Sequence, residues 1–118
     1  MNKHDAAEIK RQIADWEKSI LAVDPFAGDW DGDLKVFKDK IVTASKPHGC
    51  WMCAGKIKKG ERHWYYFSKF DGDIMEHRWC KACCLAMIKE HVSGEWKYVH
   101  FREDVLGARR RARNKTEY

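Results

Sequence analysis

Two Cys-x-x-Cys pairs, Cys50/Cys53 and Cys80/Cys83, stand 26 residues apart in a chain of 118, and no other feature limits the possible folds so strongly. A pair at this spacing turns two thiolates toward one ion, and two such pairs supply the four ligands of a closed tetrahedral zinc site. The chain between them must therefore reverse direction. Cys84 makes the cysteine count odd, which argues against a closed set of disulfides. Reduced, clustered thiols point to Zn²⁺ and to a cytoplasmic compartment, where thiols stay reduced.

The residues around the pairs say how the reversal is made. Cys50-Trp51-Met52-Cys53 runs into Ala54-Gly55, which suits a tight knuckle whose backbone N–H groups face the thiolates. Lys59-Gly60 turns the chain into Arg62 to Phe70, where Trp64, Tyr65, Tyr66 and Phe67 give high strand propensity. Asp71-Gly72 is a hairpin signal, and Ile74 to Trp79 supplies the returning strand. Cys80-Lys81-Ala82-Cys83-Cys84 then opens a run of good helix formers that Gly94 can end, and the positive end of that helix favours a Cys83 thiolate. Knuckle, hairpin and a second Cys pair at a helix start is the order of a treble-clef finger. The predicted class is α+β: a small zinc-stabilised finger with an N-terminal helix and a basic C-terminal tail.

The spacing leaves the ligand set open. Cys50, Cys53, Cys80 and Cys83 form one set; Cys50, Cys53, His77 and Cys80 form another, because His77 lies three residues before Cys80. Cys84 reads as a small apolar core residue, and His48 as a loop residue beside the metal rather than a ligand.

On either side of the finger, residues 46–94, the signals are weaker. Ile9, Ile13, Trp16 and Ile20 fall on one helical face within residues 1–24, with Asp5 and Glu8 as a capping box and Pro25 as the stop. Residues 25–45 form a linker and a β segment. Asp29, Asp31 and Asp33 resemble the start of a calcium loop, but Leu34 and Lys40 stand where such a loop needs Gly and Glu, so an acidic turn is expected. Leu34 to Ser45 is β-prone. Residues 95–118 are expected as a strand followed by a basic tail, either a frayed helix or a disordered arm, carrying Arg109, Arg110, Arg111, Arg113 and Lys115.

Charge is distributed unevenly. Residues 1–33 carry 4 basic and 8 acidic side chains, residues 34–70 carry 9 and 2, and residues 71–118 carry 10 and 8. The basic middle holds Lys56, Lys58, Lys59 and Arg62 beside the knuckle, so these and Arg109, Arg110, Arg111 and Arg113 are the candidate nucleic-acid contacts. No apolar run approaches a membrane span, and the first residues lack a signal-peptide core.

Lys46-Pro47-His48-Gly49-Cys50, Ile57-Lys58-Lys59-Gly60-Glu61, Phe70-Asp71-Gly72 and Trp79-Cys80 together resemble small zinc-finger proteins encoded by bacteriophages. More loosely, residues 46 to 84 are similar to the zinc finger of poly(ADP-ribose) polymerases, where an H-x-x-C pair follows the hairpin as His77 and Cys80 do here. The spacing before the histidine is shorter here, and Cys83 is added. The polymerase resemblance implies a finger that recognises DNA breaks, and the phage resemblance implies a host cytoplasm as its setting. A catalytic role is not expected, since four thiolates leave no open zinc position and no nucleophile–base motif is visible. Two binding functions remain in view: an accessory protein contacting nucleic acid, or an adaptor or inhibitor docking on a host protein. The basic finger and arginine tail put the first ahead, while six tryptophans, more than a small core can fully bury, support the second.

Overall fold

The computed structural model describes residues 3–23, 34–95 and 97–116. The elements in chain order are α1 (Lys3–Ala14), α2 (Trp16–Leu21), β1 (Leu34–Thr43), β2 (His48–Gly49), β3 (Lys56–Ile57), β4 (Arg62–Phe70), β5 (Asp73–Trp79), α3 (Lys81–Ser93), α4 (Lys97–His100), a π-helical segment (Phe101–Gly107) and α5 (Ala108–Thr116). β1, β4 and β5 form an antiparallel sheet with β4 in the centre, and the short β2–β3 ladder frames the knuckle.

The expected hairpin is present with its expected turn. Asp71 and Gly72 both adopt positive φ, +48° and +89°, and this pair of left-handed residues matches the twist of the strands it joins. Strand alternation sends Trp64, Tyr66 and Ser68 of β4 inward, opposite Trp79 and His77 of β5. Trp64 and Trp79 pack with ring centroids 4.6 Å apart, and the Trp64 indole N–H donates to Asp39 on β1 at 2.6 Å. The core joins these rings to Ile57, to Met87 and Ile88 of α3, and to the knuckle cysteines. α3 ends at Gly94, whose φ of +75° closes the helix through a hydrogen bond to the Glu90 carbonyl.

Both arms differ from expectation. The N-terminal helix breaks at Asp15, whose φ of −123° and ψ of 51° are not helical, and its second part ends at Leu21, before Pro25 as expected. The break turns Trp16 and Ile20 into the core against α3, where Lys81 lies over the Trp16 ring. Asp5 lies inside the first turn, so the helix begins before the capping box; the Glu8 carboxylate bonds forward to Arg11 and Gln12. The expected acidic turn at Asp29, Asp31 and Asp33 lies outside the described residues.

At the C-terminus helix α4 and the π-helical segment stand where a strand was expected, and they run on into α5, the helical of the two alternatives for the basic tail. Val99 and Leu106 pack on the core, which anchors the arm where a charge-based reading left it unattached. Gly107 is buried where the arm passes the knuckle: a Cβ there would stand 2.5 Å from the Met52 carbonyl oxygen. None of the described helices is long and apolar enough to cross a membrane.

Candidate metal centre

Cys50 and Cys53 sit in the knuckle loop, and the local backbone fixes where they point. The Cys50 N–H donates to the Gly55 carbonyl at 2.7 Å and the Ala54 N–H to the Cys50 carbonyl at 3.0 Å, with Ala54 at a φ of +56°. The Trp51 N–H reaches the Arg78 carbonyl at 2.7 Å, tying the knuckle to the end of β5. That strand delivers Cys80 to the start of α3, and one turn on, the helix brings Cys83 to the same point.

All four sulfurs lie within 4.8 Å of one another, and among the described residues this is the one such group of potential metal ligands. Cys50 Sγ is 3.6 Å from Cys83 Sγ, and Cys53 Sγ is 3.8 Å from Cys80 Sγ. Zinc–sulfur bonds of about 2.3 Å at tetrahedral angles put neighbouring sulfurs about 3.8 Å apart. The spacing therefore fits one zinc-sized ion, and Cys50, Cys53 and Cys83 are buried.

The electrostatics favour a cation at the centre. Hydrogen bonds from Cys50, Cys80 and Cys83 hold the Cys53 thiol far below its usual value, while Cys50, Cys53 and Cys80 push Cys83 far above. Four thiols in contact cannot all ionise by themselves; a divalent ion removes the conflict by stabilising every thiolate. Positive charge already approaches from the arm. Arg102 Nε donates to Cys83 Sγ at 3.0 Å, and although burial opposes the guanidinium charge, the Cys83 and Cys53 sulfurs outweigh it and raise its pKa. The Cys80 N–H points at Cys50 Sγ at 3.4 Å.

The alternative ligand His77 is not part of the sulfur group. Its ring stacks on Trp79 at 5.4 Å and meets Trp51 edge-on at 5.0 Å. Cys84 is fully buried, its sulfur donating to the Trp79 carbonyl at 3.8 Å, and burial raises its pKa. His48 lies on the short strand β2 rather than in a loop, and it is not part of the sulfur group.

The basic candidates separate. Arg62 is engaged by Glu17 of α2 at 2.6 Å and by Thr43 at 3.1 Å, so it staples the N-terminal arm to the sheet. Lys58 and Lys59 stand exposed at the turn before β4. Arg110 reaches across to the knuckle: a Cβ on Gly55 would lie within 1.8 Å of its Nη1, so the missing side chain at Gly55 makes room for the guanidinium. Arg109 and Arg111 are exposed on α5, which also carries Arg113. Between the knuckle and α5 lies an open groove of about 640 Å³ lined by Pro47, His48, Gly49, Ala54, Lys56 and Arg110.

Sequence reasoning missed Arg102, which no motif marks, and the buried His63, whose Nε2 accepts from Arg78 at 2.7 Å while Nδ1 faces the Glu61 carbonyl at 3.3 Å. The apolar pair Val105 and Leu106 was the available signal of docking, and Leu106 packs on the core. No protein-family model, curated protein or solved structure matches the chain, so the resemblance to phage and polymerase fingers rests on its motif residues alone.

Proposed function

We propose that the chain is a zinc-binding module of treble-clef type, held by Cys50, Cys53, Cys80 and Cys83, that works by binding nucleic acid and has no catalytic activity of its own. Knuckle, hairpin and helix follow one another in the order such a finger requires, and four thiolates would complete the zinc shell without a position for substrate or water. The observation that carries the nucleic-acid reading is the meeting of Lys56 from the finger and Arg110 from the arm at one groove beside the knuckle. Two cations 54 positions apart in the chain converge there, and a phosphate between them would be neutralised from both sides.

The test is anisotropy of labelled duplex and single-stranded DNA against salt, comparing the zinc-loaded wild type with the Lys56→Gln/Arg110→Gln double variant. Removing this pair, which would neutralise one phosphate, should flatten the slope of log affinity against log salt by roughly 0.7 for single strands and 0.9 for duplex. An unchanged slope would exclude the groove, and a wild type without affinity at low salt would sink the nucleic-acid reading.

A second reading, docking on another protein, draws on a more apolar groove of about 450 Å³ between α3 and α4, lined by Leu85, Ala86, Tyr98 and the half-exposed Phe101. It becomes the better account if DNA binding is absent while Phe101→Ser abolishes association with a purified partner.

A further inference from the structure

While Trp64, Tyr66 and Ser68 of β4 face the core, the alternate residues Tyr65, Phe67 and Lys69 face the opposite side of the sheet. β5 sets Arg78 against Tyr65, and β1 sets Lys40 against Tyr65 and Lys38 against Phe67. The Tyr65 and Phe67 rings are parallel to within 4°, their centroids 6.5 Å apart. Tyr65 is held in place from two sides: its hydroxyl donates to Glu76 Oε2 at 2.9 Å, and the Arg78 guanidinium lies 4.3 Å from its ring centroid.

A third ring is added by an irregularity in β1. The register shifts between Val36 and Lys38, so Phe37 is an extra residue with no partner on β4. In an unbroken strand Phe37 would turn to the face opposite Lys38; the bulge instead brings its ring to 5.5 Å from Phe67, with 52% of the residue exposed. An apolar ring left in water beside two others gains little for folding, and a bulge that re-aims a side chain toward solvent suits a binding surface.

The charge around the rings is one-sided. Lys35, Lys38, Lys40 and Lys69 are all exposed on this sheet, Arg78 lies over Tyr65, and the acid of β5 on this face, Glu76, is already engaged by Tyr65 and Arg78. Parallel rings bordered by lysines match a chain of planar bases joined by phosphates: the rings offer stacking and the lysines meet the backbone. A duplex hides its base faces, so the strand must be single.

Resting on the nucleic-acid reading above, we infer that this outer sheet face, Phe37, Tyr65 and Phe67 with Lys38 and Lys40, is a binding platform for single-stranded nucleic acid, stacking about two or three bases as other aromatic sheet faces do. The groove at the knuckle would then hold backbone phosphate, and the sheet would hold bases.

The experiment uses the full zinc-loaded chain and two labelled probes of equal length, an oligothymidylate and an abasic deoxyribose-phosphate oligomer. The wild type should bind oligothymidylate more tightly. Phe37→Ala and Phe67→Leu should each weaken oligothymidylate binding roughly 5- to 100-fold and leave the abasic probe nearly unaffected, since only stacking is removed. Phe67→Leu keeps an apolar side chain on the strand, and Phe37 is already half exposed, so zinc content and circular dichroism should match the wild type in both. Lys56→Gln/Arg110→Gln, by contrast, should weaken both probes alike.

Ring variants that bind oligothymidylate as tightly as the wild type, while the groove variant still loses affinity, would overturn the platform and leave the groove reading standing. A wild type that binds neither probe would overturn both. If the wild type sediments as a dimer that the ring variants disperse, with oligothymidylate affinity unchanged, the face is an interface between copies and the proposal is wrong.

Discussion

On the inner face of the β1–β4–β5 sheet Trp64 and Trp79 have no exposed surface, whereas on the outer face, only three residues along β4 from Trp64, Phe67 is partly open and its neighbour Phe37 is 52% exposed. Residue type is similar on both faces; packing is not. The inner rings lie against α3 and directly precede or border the cysteines, so their packing and the position of the sulfurs are one structural problem. The outer rings touch one another and cations, and little in the fold depends on them.

The sharpest way to break this contrast is to truncate one ring on each face. Trp64→Ala should cost about 3–5 kcal/mol, a large share of the margin of a small domain, and should release the metal on mild heating or in low denaturant. Denaturant unfolding followed by tryptophan fluorescence and metal content reads this directly. If Phe67→Leu proved equally costly, the outer face would be part of the core and the comparison would fail.

Arg102→Met tests whether the C-terminal arm belongs with the inner, cysteine-bearing side. The substitution keeps an unbranched apolar stem but removes the donor to Cys83, so competition with a chromophoric chelator should show zinc affinity reduced roughly 10- to 100-fold with the fold retained. Unchanged affinity would make the arm a neighbour rather than a part of the centre.

His63 sharpens the comparison from another side, because strand parity assigns it to the outer face although it is fully buried there. Burial lowers its pKa, so folding favours the neutral ring, and the unfolded chain binds the extra proton once pH falls below about 6.5. Its contribution is present above that pH and is lost as the solution is acidified. The denaturation midpoint should therefore drop between pH 7 and pH 5.5, with a smaller drop in His63→Gln, which retains an acceptor for Arg78. Equal drops in the two proteins would remove His63 as the cause.

The smallest effect is expected from Phe37→Ala on stability: within about 0.5 kcal/mol, as for other exposed positions. A larger loss would show that the bulged ring supports the fold.

The finger was legible in the sequence because its signals are local. The cysteine spacing, the Asp71-Gly72 turn and the Gly94 stop each fix a backbone conformation within a few residues, and the hairpin, α3 and the sulfur cluster follow from them. The arms were less legible because their structure is decided at a distance. Asp15 breaks the first helix so that Trp16 and Ile20 can reach α3, a choice that helical periodicity alone does not reveal. Arg102 and Gly107 gain their roles only when the arm folds back on the knuckle, and Arg62, read from sequence as a free cation, is taken up by Glu17 from 45 residues away. The bulge at Phe37 likewise depends on how β1 registers with β4.

The central claim is that four cysteines hold one zinc on which the fold depends, and native mass spectrometry of the purified chain, paired with circular dichroism before and after chelation, tests it most directly. One zinc per chain is expected, retained in His77→Ala, lost in Cys83→Ser, with loss of secondary structure when the metal is removed. A chain that carries well under one zinc and keeps its spectrum in excess chelator would contradict the account.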